Sequence, residues 1–473
     1  MSLKTTLTLV DGVHIIVPDS LNMITTYTLR EQEDWFEDEI KFLRHLLQPG
    51  QRVIDIGANC GVYTLSMAKL VGPTGRVWAF EPASTTASLL AESITTNDFS
   101  QVVLEQKALS DMSGTAKLSL NNNSELNALV RDDQYISETE TVSLVTLDEC
   151  LEHYDWQDIE FIKLDAEGEE VNILRGGSRF FATQSPLVQY EVKAGTELHL
   201  ELVQAFAELG YRSYRFVPGL NVLVPFNEKE PADGYLLNLF CCKPDCAARL
   251  AARGFLVEVT VDALMGEGHS NSLCGRLDSD QTQNWLDTLT NLPYGKICAE
   301  HWRKTKVAWQ GGEVETALLC YGMSRNPSLT ATERFSALEE SYMRLKTLCE
   351  TQPAYLRSAS LARVARDYGA RSLAVKALGQ LCKTIFQQRQ ISTLEPFLAP
   401  GERFDSVSPR GSIVNWIGAA ALEELERNLA FSSFYTGVSA RQRLENIRDL
   451  GFGSDEMKRR LNLIQLRFDT PNA

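Results

Sequence analysis

The feature that most limits what this chain can fold into is the run Val53-Ile-Asp-Ile-Gly-Ala-Asn-Cys-Gly-Val-Tyr-Thr64. An apolar strand passes directly into a glycine turn and out into a helix, a junction that aims backbone N–H groups at a ligand and lets the backbone approach it closely. Further short apolar runs bounded by turn residues follow at 76–80, 102–106, 161–164 and 187–192, as buried parallel strands require. Helical patterns over 62–71, 83–97, 146–153, 168–182 and 196–209 fall between them, the alternation expected of βα units on a mostly parallel sheet. The stretches 211–223 and 235–240 are expected to close the sheet as an antiparallel pair, for seven strands in all. A hairpin around Asp11-Gly12 and an amphipathic helix over 31–47 are expected ahead of this fold.

Beyond residue 280 the strand signals fade, and amphipathic helices are expected near 282–291, 331–351, 354–368, 370–388, 412–430, 439–450 and 454–468. Alanine and leucine spacing over 359–378 resembles a helix pair from a tetratricopeptide-type array, but no second copy recurs at a fixed period, so an irregular bundle is an equal reading. The chain therefore divides into an N-terminal hairpin and lead-in helix (1–48), an α/β domain (49–250), a transition (251–280) and an all-α domain (281–473), which agrees with two or three domains for 473 residues.

Lys and Arg number 46 against 62 Asp and Glu, a formal charge of -16 that repels nucleic-acid backbones and anionic lipid. No apolar run approaches the ~18–20 residues that span a bilayer, and mean hydropathy is -0.17. The first ten residues lack a long apolar signal region, so a cytoplasmic location is expected. Ten cysteines scattered through so long a chain are expected to be mostly reduced and buried. The cluster Cys241-Cys242-Lys-Pro-Asp-Cys246 lacks a CxxC pair or a nearby histidine and reads as the end of a strand.

Glu81 ends the second apolar run twenty positions after Gly61, where a carboxylate can accept both hydroxyls of a ribose. A dinucleotide loop needs GxGxxG, and here Asp55 and Asn59 stand in the turn instead. A carboxylate aimed into the loop suits the cationic amino-acid end of S-adenosylmethionine better than a pyrophosphate.

These residues belong to an ordered series: Asp55-Ile-Gly-Ala-Asn-Cys-Gly61, Phe80-Glu-Pro82, Lys107-Ala-Leu-Ser-Asp111 with Gly114, Thr146-Leu-Asp148, Ile162-Lys-Leu-Asp-Ala-Glu-Gly-Glu169, Leu174-Arg-Gly-Gly177 and Glu191. Over residues 50–195 the series resembles the FkbM-type methyltransferases. The resemblance implies a class I, Rossmann-like methyltransferase fold, S-adenosylmethionine as donor, and O-methylation of a hydroxyl on a saccharide, glycoconjugate or secondary metabolite. A lipid, polyketide or nitrogen acceptor, or a non-catalytic assembly protein docking through its helices, are the alternatives. In that frame Asp55, Gly57, Asn59 and Gly61 would hold the methionine end of the donor, Glu81 its ribose, and Ala108 and Leu109 would border its adenine.

Asp165 and Glu191 end adjacent-looking strands, and a hydroxyl that attacks a sulfonium methyl must lose its proton, so Asp165 is the expected general base with Glu191 and Glu167 in support. The same carboxylates admit a divalent cation. A metal-free site is preferred because no His or Asn accompanies them. Glu169 and Glu170 fit a role in the first turn of the next helix, and Lys163 a partner for Glu167 or a side chain reaching solvent. His199 could rim the acceptor pocket, and Trp285, Trp302 and Trp309 could form a sugar-stacking surface, although core packing is the safer reading. The C-terminal helices could select the acceptor, self-associate or dock a protein partner.

Overall fold

The strand Arg52–Ile56 lies inside an eight-stranded sheet, and every fold feature that matters to the site is arranged around its carboxyl end. The computed structural model describes residues 3–121, 123–130, 138–194, 197–198, 200–257, 279–388 and 391–469. His199 and most of the expected transition at 251–280 lie outside the described residues.

The chain opens with an antiparallel hairpin, β1 (Lys4–Thr8) and β2 (His14–Pro18), followed by α1 (Ile24–Gln32) and α2 (Asp38–Leu46). The expected single helix over 31–47 is thus two, because Glu33 adopts a left-handed φ of 60° that ends α1. The break leaves Trp35, Phe36 and Glu37 in the connection. The α/β part then runs β3 (Arg52–Ile56), α3 (Val62–Val71), β4 (Arg76–Phe80), α4 (Ser84–Thr96) and β5 (Val102–Glu105), each where its apolar run placed it.

A small sheet follows that the sequence did not foreshadow: β6 (Ala108–Leu109), β7 (Gly114–Ser119), β8 (Ala128–Leu129) and β9 (Thr139–Val145), paired in the order β6-β9-β7-β8. After α5 (Leu147–His153), the chain returns to the main sheet as β10 (Ile159–Leu164). The helix expected over 168–182 is split into α6 (Glu170–Arg175) and α7 (Ser178–Thr183) at Gly176-Gly177. Close packing explains the break, since a Cβ on Gly176 would stand 2.2 Å from the Ser110 carbonyl oxygen. The rest is β11 (Leu187–Glu191), β12 (Lys193–Ala194), β13 (Glu197–Leu198), α8 (Glu201–Glu208), β14 (Arg212–Val217), β15 (Val222–Pro225), β16 (Asn238–Cys242) and α9 (Pro244–Ala252).

Spatially the main sheet reads β15-β14-β16-β11-β10-β3-β4-β5, with β11, β10, β3, β4 and β5 parallel. This is the Rossmann-like arrangement of class I methyltransferases, with one strand more than the seven expected. The stretch 211–223 is not one strand: it reverses at 218–221, where Asn221 takes a φ of 53°, and the second arm β15 adds an edge strand. The strand order switches direction between β3 and β10, and ligands of open α/β sheets sit in the crevice beyond such a point.

From Ser279 onward the described chain is helical. Helices Ala331–Thr351, Tyr355–Tyr368, Arg371–Gln388, Ile413–Leu429, Arg441–Leu450 and Asp455–Asp469 follow the apolar periodicity, whereas Pro293–Lys304 and Glu313–Ser324 lie between the expected ones. Trp302 and Trp309 are buried in the helical core and Trp285 packs over Gly322, so these three rings form no sugar-stacking surface. Among the described residues eight cysteines are free; Cys241 and Cys242 end β16, whereas Cys246 lies in α9, and all three are buried.

The halves meet at several seams, two of them deeply buried. Val217, Leu220, Val222 and Val224 of the β14–β15 hairpin pack into the helical core, while Tyr214, Phe216 and Leu223 of the same hairpin pack into the sheet. At the second seam the fully buried Glu31 of α1 faces Arg460 of the last helix at 3.3 Å. Arg460, itself 1% exposed, also meets Glu456 at 3.0 Å and Glu426 at 3.4 Å. Replacing Arg460 with Met would strand Glu31 as an uncompensated buried carboxylate, a loss of about 3–5 kcal/mol, while Glu426 keeps Arg443 at 2.5 Å. Denaturant unfolding is expected to show that loss as a lower midpoint, with little change for Lys458→Met at the exposed pair with Asp455.

Candidate active site

Beyond the carboxyl ends of β3, β4, β10 and β11 lies a cavity of about 600 Å³. Of the ten residues singled out from the sequence, Asp55, Gly57, Asn59, Glu81, Ala108, Leu109, Asp165, Glu167 and Glu191 line it. Gly61 does not. It begins α3 with φ 92°, and a Cβ there would stand 2.3 Å from Leu90 Cδ1, so its glycine serves the packing of α3 on α4.

The glycine loop is held from both sides. Gly57 has φ 78°, and a Cβ on it would lie 1.7 Å from the Asp165 carbonyl oxygen, so the loops after β3 and β10 touch only because residue 57 has no side chain. The Glu81 carboxylate accepts the backbone N–H of Asn59 at 2.8 Å on one oxygen and that of Ala83 at 2.9 Å on the other. Burial nevertheless pushes its pKa up to about 7. Asn59 sits at φ 48° with its side-chain oxygen accepting the Cys60 N–H at 2.7 Å and the Ser124 hydroxyl at 2.9 Å, so its side chain shapes the turn.

Asp55 is fully buried; one oxygen accepts the Thr64 hydroxyl and the other, Oδ1, has no hydrogen-bond partner. An orphaned carboxylate oxygen on a cavity wall is costly unless a ligand donor reaches it. An ammonium group suits that oxygen, the free lone pairs of Glu81 suit a diol, and the gap left by Gly57 admits a chain between them. The donor set therefore fits S-adenosylmethionine.

The rest of the floor is acidic. One oxygen from each of Asp165, Glu167 and Glu191 lies within 4.8 Å of the others. Lys163 bonds Asp165 at 2.6 Å rather than Glu167, and is held 4.9 Å above the Tyr63 ring. Glu167 takes a left-handed φ of 49°. Burial, and then the charge of Asp165, raises the pKa of Glu167 to about 8 and of Glu191 to about 9. No hydrogen bond or ion pair reaches the carboxylate of either from the described residues. Glu169 accepts the Ser110 hydroxyl at 2.8 Å, and Glu170 accepts the Ala166 N–H at 2.8 Å, so both hold the loop together as well as standing at the start of α6.

Sequence reasoning missed half of the wall. Glu37 lines the cavity, bound by the Tyr63 hydroxyl and by Asn238 at 3.3 Å, and its pKa is raised by burial. Glu125, bonded by the Thr25 hydroxyl, is raised likewise. An aromatic wall of Trp35, Phe36, Tyr235, Phe431, Phe434 and Tyr435 completes it. Three of these rings come from the helical half. Arg371 fastens two of them, its guanidinium lying 4.2 Å from the Phe431 ring and 4.8 Å from that of Tyr235 while it donates to the Asn428 and Arg427 carbonyls. Phe434 is positioned by an edge contact with Tyr27 and by the bond from the Ser433 backbone N–H to Glu31 at 3.0 Å. The traces available beforehand were the Trp35-Phe-Glu37 triplet and the Phe431-x-x-Phe434-Tyr435 spacing, neither of which reveals where it will point.

Residues 55–213 match the Methyltransferase FkbM domain family. The chain is similar to a methyltransferase FkbM structure from Methylobacillus flagellatus, at 16% identity over 43% of this chain and 50% of that one, with a TM-score of 0.28. A putative rRNA methylase from Clostridium thermocellum aligns at 11% identity over 44% and 95% of the two chains, TM-score 0.28. A SAM-dependent O-methyltransferase from Thermotoga maritima aligns at 14% over 50% and 77%, TM-score 0.26. No curated protein matches the chain.

The raised carboxyls set a pH dependence. A carboxyl whose pKa rises on folding binds more protons in the folded than in the unfolded state, so its contribution is full below about pH 4.5 and is lost as pH rises through the folded value. For Glu167 and Glu191 that window runs from about 4.5 to about 8 and 9. Denaturant midpoints are expected to fall between pH 6 and pH 9, and Glu191→Gln to flatten the decline by on the order of 2 kcal/mol.

Proposed function

We propose that the FkbM-type methyltransferase domain at residues 55–213 works as a cytoplasmic, S-adenosylmethionine-dependent O-methyltransferase on a saccharide or glycoconjugate hydroxyl. The observation that carries this reading is the placing of a carboxylate floor and an aromatic wall in one cavity with the glycine loop. Sugars offer hydroxyls to carboxylates and apolar C–H faces to aromatic rings. No described helix is long and apolar enough to cross a membrane.

S-adenosylmethionine, when bound, supplies an electrophilic methyl group. The chain's part is to hold and deprotonate. Asp55 and Glu81 fix the two ends of the donor, with the adenine bordered by Ala108 and Leu109. Asp165 accepts the proton of the attacking hydroxyl. The Lys163 ammonium, 2.6 Å from its carboxylate, keeps Asp165 oriented toward the cavity. Glu191 and Glu167 hold protons near neutrality and bond other acceptor oxygens, which orients the ring. The aromatic wall excludes water from the transfer, and through Phe431, Phe434 and Tyr435 the helical half selects the acceptor. No divalent cation is needed in this scheme.

Two measurements test it. Calorimetric titration with S-adenosylhomocysteine should give micromolar binding, weakened at least tenfold by Glu81→Ala. With radiolabelled donor and a saccharide extract, Asp165→Asn should lower turnover by about 10²–10⁴-fold while donor affinity stays within a few-fold. Labelled product formed equally by Asp165→Asn would remove it as the base.

A further inference from the structure

At the acceptor end of the cavity acidic groups outnumber basic ones. Setting aside Asp55 and Glu81, which face the donor, the wall still presents Glu37, Glu125, Asp165, Glu167 and Glu191. Among the described residues Lys163 is the one cation at this end, and its ammonium bonds Asp165 at 2.6 Å. Lys107, at the other end of the lining, is paired with Glu105 at 2.6 Å. Among the described residues no hydrogen-bond or ion-pair partner reaches Glu167 or Glu191, and Glu125 leaves its second oxygen unbonded and buried. The sulfonium of a bound donor adds one positive charge and leaves the excess standing.

An independent feature points the same way. The same cavity is also lined by Trp35, Phe36, Tyr235, Phe431, Phe434 and Tyr435. The faces of aromatic rings attract cations and repel anions. Acidic side chains with few cations and an aromatic lining in the same cavity make a setting that suits a cation better than an anion. The group that satisfies both is an ammonium.

We infer that the acceptor saccharide carries a protonated amine, so that the natural substrate is an amino sugar or an amine-bearing glycan methylated on a neighbouring hydroxyl. The amine forms charge-assisted bonds to Glu191 and Glu167 and is covered by the rings of the helical half. The hydroxyl is then left to Asp165. A bound cation draws Glu167 and Glu191, whose pKa values are raised, toward ionisation, so binding releases protons.

This inference rests on the methyltransferase reading of the cavity, and the experiment separates the two. Full-length protein saturated with S-adenosylhomocysteine is titrated by calorimetry with three probes of matched length: a glucosamine oligosaccharide, its N-acetylated counterpart and an oligogalacturonate. The glucosamine oligomer should bind at least tenfold tighter than the acetylated one, and the galacturonate should not bind. Repeating the titration in buffers of different ionisation enthalpy should show proton release for the amine alone. Glu167→Gln and Glu191→Gln should each weaken the amine about tenfold while S-adenosylhomocysteine binding, which also reports folding, stays unchanged.

Equal or tighter binding of the acetylated or acidic oligomer overturns the inference, as does failure of all three while S-adenosylhomocysteine still binds. Amine binding that requires Mg²⁺ or Mn²⁺ and is abolished by EDTA also overturns it, in favour of a metal held by Asp165, Glu167 and Glu191. Failure of S-adenosylhomocysteine itself to bind folded protein overturns the methyltransferase reading instead.

Discussion

The carboxylate of Glu31 ties this molecule together. It is fully buried, and it meets the Arg460 guanidinium and the backbone N–H of Ser433 at once. A charge in such a place is tolerable only when paired and hydrogen-bonded, so the lead-in helix and the C-terminal helices cannot separate without exposing an ion to a medium that solvates it poorly. The consequence reaches the catalytic cavity, because Ser433 is followed by Phe434 and Tyr435. An ion pair on the far side of α1 thus decides whether the cavity has a wall.

Within the cavity, opposing demands are met by dividing the labour between loops. The loop after β3 must pass close to the loop after β10, which the absence of a side chain at Gly57 allows. Glu81 stiffens the same loop by taking two backbone N–H groups, while Asp55 is left with one oxygen free. On the acceptor side the carboxylates are crowded, and the Lys163 ammonium holds Asp165 in place. The donor end is preorganised by hydrogen bonds, whereas the acceptor end gathers acids that few bonds restrain.

How much of this the sequence disclosed follows from how local each cause is. The junction at 53–64 carries its own geometry in a dozen residues, and the parallel strands are short apolar runs with turn residues at their ends, so sheet and donor loop were legible. The sheet of β6 to β9 was not, because two of its strands are two residues long and acquire their form from pairing across distant sequence. Asp165 and Glu191 could be placed because strand ends in this architecture converge. The aromatic wall could not, since Phe36 and Phe431 stand 5.2 Å apart across nearly the whole chain and no periodicity records that meeting. The same blindness hid Glu37: one left-handed residue at Glu33 broke the expected helix and turned the following segment toward the cavity.

The hairpin β14–β15 also has a bearing on how the chain is made. Its two faces belong to different cores, the inner one to the sheet and the outer one, with Val217, Val222 and Val224, to the helices. A ribosome delivers the sheet first. At about 5–20 residues per second, the roughly 200 residues that follow Val257 take about 10–40 s to appear. Through that interval the nascent sheet displays a bare valine face on an edge strand, the kind of surface that chaperones recognise and that pairs with its like on a neighbouring polysome. The helical half is then, besides a wall for the cavity, the late-arriving cover that ends the exposure.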